Sequence, residues 1–378
     1  MHSIKNFFKI IIFLFPLSVF SQEEIRIYSE FDEAFEKNTR SKDGKPGENY
    51  YQNRANYSIK ADFDPYTGEL KGEEQIEFIN NSPNPLSVMV IKLYQDFYRK
   101  GNVRDFQIQP EDLHDGVELK KVKLIYTDGR TSIHENFRRR GTNLYLYPDT
   151  LIFPKDTLLM EIEWEFTMPL VNSIRYGKYD ESSWFVAYWY PQIAVYDDVF
   201  GWDVIDFQGH TETYNEFGDF EVEITVPEQF IVWSTGELQN PEEVLAPEIA
   251  SRYFEAKTSE EIYHIITPED IENRIMTTVE GENTWKFSAA NVSDFAFSLS
   301  DHYLWDGSAL YLNSKNEYPI FVQAAYKVES KDFYEVCEIA KETIRLLSEE
   351  RIGIDYPFPE MTVFNGGGGM EYPMIIND

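Results

Sequence analysis

Apolar and polar residues alternate in short runs from Tyr50 to about Asn316. In "LLMEIEWEF" the residues Leu158, Met160, Ile162, Trp164 and Phe166 fall on one side, and Glu161, Glu163 and Glu165 fall between them. "FEVEITV" repeats the pattern with Phe220, Val222, Ile224 and Val226. A period of two over this length predicts strands with one buried face. "NYSIKADFDPYTGELKGEEQIEFINNSPNPL" predicts two more strands, joined by a turn at "DPYTG" and broken by "NNSPNP". "TWKFSAANVSDFAFSLS" is similar but less regular. No stretch in this region has the three- and four-residue spacing of a long amphipathic helix, and no repeat of fixed period occurs. The pattern predicts a large, mainly β domain of antiparallel sheets, sandwich-like or saddle-like.

Near Tyr318 the pattern changes. "YPIFVQAAY" predicts a strand, and "SKDFYEVCEIAKETIRLLSEERIG" predicts the best helix of the chain. Phe333, Val336, Cys337, Ala340, Ile344 and Leu347 recur on one helix face, Ser330 is placed to cap the start and Gly353 to end it. "YPFPE" reads as a turn and "MTVFN" as a short strand, followed by Gly366 to Gly369 and "MEYPMIIND". Strand, helix, strand, glycine loop, strand is the opening of an α/β domain, and ~60 residues do not readily bury an independent core.

The first residues differ again. Lys5 and Lys9 precede the apolar run Ile10 to Phe20, which falls short of the ~20 residues that span a bilayer. Residues 1–21 therefore read as a secretory signal peptide, and the protein as exported to the periplasm, the cell surface or the medium, with no stable membrane insertion after cleavage. Residues 22–49 read as a linker or extended arm, 50–317 as the β-rich domain and 318–378 as the incomplete beginning of a second one.

With 42% hydrophobic and 16% aromatic residues the chain has ample core material, so disorder is excluded as its class. A net charge of −32 repels nucleic acid and anionic membranes. The single cysteine, Cys337, rules out an intrachain disulfide, and its place on the apolar helix face makes it a core thiol.

Most catalytic patterns are missing. The glycine run lacks the Lys-Ser/Thr of a phosphate loop, and Tyr372-Pro373 opposes the helix a dinucleotide fingerprint requires. "HENFR", His134 to Arg138, has Arg where a zinc helix needs its second His, and none of the other histidines (His2, His114, His210, His264, His302) has ligand spacing. No Gly-x-Ser-x-Gly elbow occurs. Two features stay open. "SSWFVAYWYPQIAVYDDVFGWDV", Ser182 to Val204, is either β-domain core, an aromatic wall for a substrate side chain, or a sugar platform with Asp197 and Asp198. The glycines with Glu371 are either a flexible turn or a place where exposed backbone pairs with an extended chain beside a carboxylate suited to an amine.

Three stretches resemble a known family. "YWYPQIAVYDDVFGWD", "TYNEFGDFEVEITVPEQFIVWSTGEL" and "YPFPEMTVFNGGGGMEYPM" are similar to segments of the zinc aminopeptidases of membrane alanyl aminopeptidase type (gluzincins), in a secreted Bacteroidetes-like version. The last carries Gly368-Gly369-Met370-Glu371-Tyr372, which resembles the Gly-x-Met-Glu-Asn exopeptidase motif, with Tyr372 in place of Asn. The resemblance implies a saddle-like β domain followed by a thermolysin-like catalytic domain. It implies that Glu371 binds the free α-amine of a peptide substrate, while Gly368, Gly369, Met370 and Tyr372 lie along its backbone. It further implies an H-E-x-x-H zinc helix after the motif, so the chain as given is expected to be cut before it, with no catalytic residue or metal ligand of its own and no activity. The zinc would belong to the full-length enzyme. A non-catalytic peptide- or protein-binding scaffold, or a carbohydrate-binding β module, is the alternative.

Overall fold

The computed structural model describes residues 28–135, 137–171, 175–210, 212–278, 281–312 and 318–378. The signal-peptide reading of residues 1–21 lies outside them. Residues up to Tyr50 form a unit of their own. Where the sequence suggests a linker or extended arm, that unit holds a short helix, Asp32–Glu36, and a bridge between Arg40 and Pro46. Ala34 is buried beneath its own turn, and its carbonyl accepts from the backbone N–H groups of Thr39 and Arg40.

From Tyr51 onward, strands dominate and helices are few. The largest sheet has eight strands, in the order Glu237–Leu238, Glu282–Val292, Gly218–Pro227, Arg54–Phe63, Glu69–Ile79, Thr157–Thr167, Glu118–Tyr126, Thr131–Ile133. Its alternation follows the sequence: Leu158, Met160, Ile162, Trp164 and Phe166 are buried, as are Phe220, Val222, Ile224 and Val226. Between them, Glu161, Glu163 and Glu165 face outward and pair with Lys123, Lys121 and Lys120 of the neighbouring strand. One pair departs from the expected antiparallel pattern. Arg54–Phe63 and Gly218–Pro227 run parallel, which the long chain between them permits, since parallel neighbours need a crossover of a dozen or more residues.

The β region also holds two four-stranded sheets, one of them built on Trp184–Val186 and Phe297–Ser300, and a two-stranded ribbon of Tyr196–Asp197 and Gly201–Trp202. The irregular "TWKFSAANVSDFAFSLS" is thus two strands in two different sheets. The first half of the aromatic block is core: Trp184, Phe185, Tyr188, Trp189 and Tyr190 are all buried. The indole N–H of Trp184 donates to Pro65 O and that of Trp189 to Phe295 O, so the polar edge of each ring is satisfied inside. These five rings offer no face to a sugar, whereas Tyr196, Asp197, Asp198 and Trp202 are half-buried and Phe200 is exposed.

The last sheet has six strands: Tyr263–Ile266, Leu304–Leu310, Ile320–Tyr326, Glu360–Phe364, Ile375–Asn377 and, at its edge, Met370–Tyr372. It draws strands from both sides of Tyr318, where the texture of the sequence changes. One face joins the main core through Trp305, Phe321, Phe364 and Ile375. The other packs Val322, Ala324, Tyr326 and Val363 against Phe333, Cys337 and Ile344 of the predicted helix. Burying both faces requires material on both sides, which is why this short segment is not independent of the β region.

The helix itself is less regular than its pattern. A 3-10 turn, Lys331–Glu335, leads into α-helix Val336–Arg345 and then a π-helical stretch, Leu346–Arg351. Ser330 does not cap it; its hydroxyl donates to Asn365 Oδ1 at 2.6 Å, toward the glycine loop. Leu347, expected on the buried face, lies on that face beside Val336, Ala340 and Ile344 but is 41% exposed, because the groove they line is open. Gly353, with φ of +71°, ends the helix as expected. No helix among the described residues is long and apolar enough to cross a membrane.

Candidate functional site

The chain leaves the strand Glu360–Phe364, crosses Asn365 and the four glycines, forms the strand Met370–Tyr372, and turns back at Pro373-Met374 into Ile375–Asn377. Proline fixes the first turn position and Met374 takes a left-handed φ of +65° at the second. Thr235 Oγ1 donates to Pro373 O at 2.8 Å and Thr362 N–H to Met374 O at 2.9 Å, so the turn is held from two sides.

The strand Met370–Tyr372 pairs antiparallel with Ile375–Asn377 and has no strand on its other side among the described residues. It is an open edge, with backbone donors and acceptors free for an added chain. Strand alternation sends its residues to opposite faces. Glu371 is exposed, whereas Tyr372 is buried, its ring centroid 5.4 Å from Phe185 and 5.6 Å from Tyr188. The side chain of Tyr372 is therefore not available at the edge, and its backbone faces Ile375 across the turn. Burial pushes its phenol well above the ordinary range, so it stays neutral.

The glycine loop is fixed rather than slack. Gly366 and Gly367 both donate to Asp378 O, at 2.8 and 2.9 Å. Gly367 and Gly369 have φ of +86° and +57°, conformations that favour glycine, and open space around them. Gly366 and Gly368 are glycines for a different reason: a Cβ on either would collide with the side-chain amide of Asn377 and approach Tyr179. Asn377 is fully buried, and its Nδ2 donates to Arg175 O at 3.0 Å and to Tyr179 Oη at 2.7 Å.

The segment 175–183 beneath the loop is itself anchored. Arg175 and Tyr188 hold left-handed φ values of +66° and +56°, and the Arg175 guanidinium makes a two-pronged pair with Glu212 at 2.7 and 2.9 Å. Asp180 takes Lys327 Nζ at 2.9 Å and His302 Nε2 at 3.3 Å, with the backbone N–H groups of Ser182 and Ser183 on its other oxygen. Burial pushes the Asp180 carboxyl up, but these partners outweigh it and hold it well below the usual range. Hydrogen bonds to Asp180 and Asp301 raise His302 to about 9.

Ser182 Oγ lies 3.3 Å from His302 Nδ1, so a Ser-His-Asp set exists in outline. Its chemistry fails on two counts: Ser182 gives its proton to Asp301, at 2.6 Å, and an imidazole already protonated between two carboxylates cannot act as a base. It is an ion cluster that fastens the segment.

The structure thus brings Gly368, Gly369, Met370, Glu371 and Tyr372 together at one sheet edge, with Tyr372 turned away. Sequence reading missed Asn377, Tyr179, Arg175, Asp180 and His302. Asn377 meets Tyr179 and Arg175 across 198 and 202 residues, a separation that leaves no local signal. His134 caps nothing metallic: it follows a short strand, and its ring nitrogen Nε2 lies 3.2 Å from Ser132 Oγ. Among the described residues no group of three or more His, Cys, Asp or Glu side chains could hold a metal ion. The zinc implied by the resemblance therefore has no fitting ligand set among them.

No family model matches the sequence, and no curated protein matches it. Among solved structures, an M1 zinc metallopeptidase from Deinococcus radiodurans is similar at 13% identity, over 84% of this chain and 57% of that one, with a TM-score of 0.49. A two-domain M1 zinc metallopeptidase mutant bound to L-arginine is similar at 12% identity, over 85% and 58%, with a TM-score of 0.49. The chain spans less than three-fifths of the length of these structures. Likeness at this level assigns no residue and no activity.

Proposed function

We propose that this chain carries the substrate-anchoring part of an exported zinc metallopeptidase, an aminopeptidase that acts on peptides with a free N-terminus. The observation that carries the reading is the exposed carboxylate of Glu371 on a short, open edge strand, preceded by a backbone loop stripped of side chains. An extended peptide adds to such an edge through main-chain hydrogen bonds. Its α-ammonium group then pairs with Glu371, and the strand fixes the distance from that amine to each following peptide bond. In this role Glu371 binds and orients. The zinc of the family would polarise the scissile carbonyl and activate water, and the residues that hold it are not among those described.

The test is a binding experiment on the full chain, which requires no hydrolysis. A short free-amine peptide is expected to bind at least about tenfold more tightly than its N-acetylated twin, consistent with one charge-assisted hydrogen bond. Glu371→Ala is expected to erase that difference. The preference should also fade as pH rises past the α-amine pKa of about 8. Equal binding of free and blocked peptides by the wild-type chain would overturn the reading.

A further inference from the structure

We infer that Asn377 is a positioning residue that holds the glycine loop in the shape presenting the Glu371 strand edge. This rests on the reading above for its functional half and on geometry alone for its structural half.

The side-chain amide of Asn377 occupies the concavity of the loop, at the place a Cβ on Gly366 or Gly368 would need. All its polar capacity points to one assembly. Nδ2 ties it to Arg175 O and Tyr179 Oη, and Oδ1 faces the Gly368 N–H at 3.4 Å. Its backbone pairs with Met370, one residue before Glu371. One buried side chain thus joins the anchored segment 175–179, the loop and the edge strand. A buried, fully partnered amide specifies a single arrangement of the groups around it, because any shift strands a polar atom away from water. Gly366 and Gly368 are then small so that this amide fits, and the loop owes its shape to Asn377 as much as to glycine flexibility.

The experiment compares wild type, Asn377→Ala, Gly368→Ala and the double variant of the full chain. Two quantities are read: hydrogen exchange of the Gly366 to Gly368 amides, and the ratio of affinities for a free-amine peptide and its N-acetylated twin. Asn377→Ala is expected to speed exchange by about tenfold and to cut the affinity ratio severalfold, as loss of a buried hydrogen-bonding group allows. Gly368→Ala removes no hydrogen-bonding group, yet it is expected to do the same, because its new methyl displaces the amide. In the double variant the two effects do not add, since the shortened side chain leaves room for the methyl. Wild-type exchange rates in Asn377→Ala, additive effects in the double variant, or an unchanged affinity ratio with both peptides weakened equally would each overturn the inference. If Asn377→Ala does not fold, Gly368→Ala alone decides by the same two readouts. If the wild-type chain fails to distinguish the two peptides, the amine-anchor reading falls, while the exchange measurements still decide whether Asn377 holds the loop.

Discussion

Glu371 and Tyr372 are consecutive residues of one three-residue strand and face opposite ways, the carboxylate into solvent and the phenol ring into the core between Phe185 and Tyr188. The two neighbours therefore differ in what they hold up. Tyr372→Asn is expected to cost about 2–4 kcal/mol, because it replaces a buried ring with a smaller polar group. Glu371→Ala is expected to change stability by less than about 0.5 kcal/mol, as exposed substitutions usually do. Urea unfolding of the two variants checks this; similar losses in both would mean that Glu371 has a structural role.

The Asp180–His302–Asp301 cluster makes stability depend on pH in the alkaline range. The two carboxylates raise His302 to about 9, above its ordinary value near 6.5. The folded state therefore holds a proton that the unfolded state has already released in this interval. The contribution is complete below about pH 6.5 and is lost as pH rises through about 9. Because the imidazole is partly exposed, the effect is modest. Thermal unfolding between pH 6 and pH 9.5 should show a fall in midpoint that His302→Gln flattens; an identical slope in the variant would remove His302 as its source.

Particular residues explain how far the sequence could be read. Period-two runs such as Leu158 to Phe166 are legible because burial of one sheet face acts residue by residue along the chain. Glu371 beside the glycines is a local signal, but it does not by itself separate a flexible turn from a strand edge, because the pairing with Ile375–Asn377 decides that. The parallel pairing of Arg54–Phe63 with Gly218–Pro227 was not legible, because register between distant strands leaves no mark on either. Nor was the role of Asn377, whose partners lie about two hundred residues away, or the fate of Tyr372, whose neighbours Phe185 and Tyr188 come from the aromatic block. At Leu347 the helical period marks the right face but cannot say whether that face is covered, and the groove it lines with Ala340 and Ile344 is open.

Cys337 offers a check on the helix that covers the last sheet. Its thiol is buried, donates to Val322 O at 3.3 Å, and is pushed up to about 12 by burial. Thiolate is the reactive species, so a disulfide reagent at pH 8 should leave the native chain unlabelled and modify one thiol per chain in urea. Rapid labelling of the native chain would show that the helix does not stay packed on Val322.

Glu360 makes the acid-to-neutral range informative as well. It lies at the start of the strand leading to the glycine loop, 3% exposed, and burial pushes its carboxyl up to about 8, with Lys257 opposing and Glu237 reinforcing the shift. Its Oε2 atom has no hydrogen-bond partner among the described residues, so no hydrogen bond compensates an ionised form at that atom. Between about pH 4.5 and pH 8 the folded chain keeps this proton and the unfolded chain loses it. Stability should therefore fall as pH rises across that window, with a limiting slope of about 1.4 kcal/mol per pH unit from this group. Glu360→Gln keeps the volume and cannot ionise, so it is expected to flatten the slope and to be more stable than wild type at pH 8 while matching it near pH 4.5. Urea midpoints at pH 4.5, 6 and 8 decide. His302 contributes only above about pH 6.5, and the other carboxyls raised by burial, Glu74, Glu216 and Asp294, are common to both chains, so the difference between wild type and variant from pH 4.5 to 6 reports Glu360. An unaltered slope there in the variant would show that Glu360 ionises in the folded chain as it does in water.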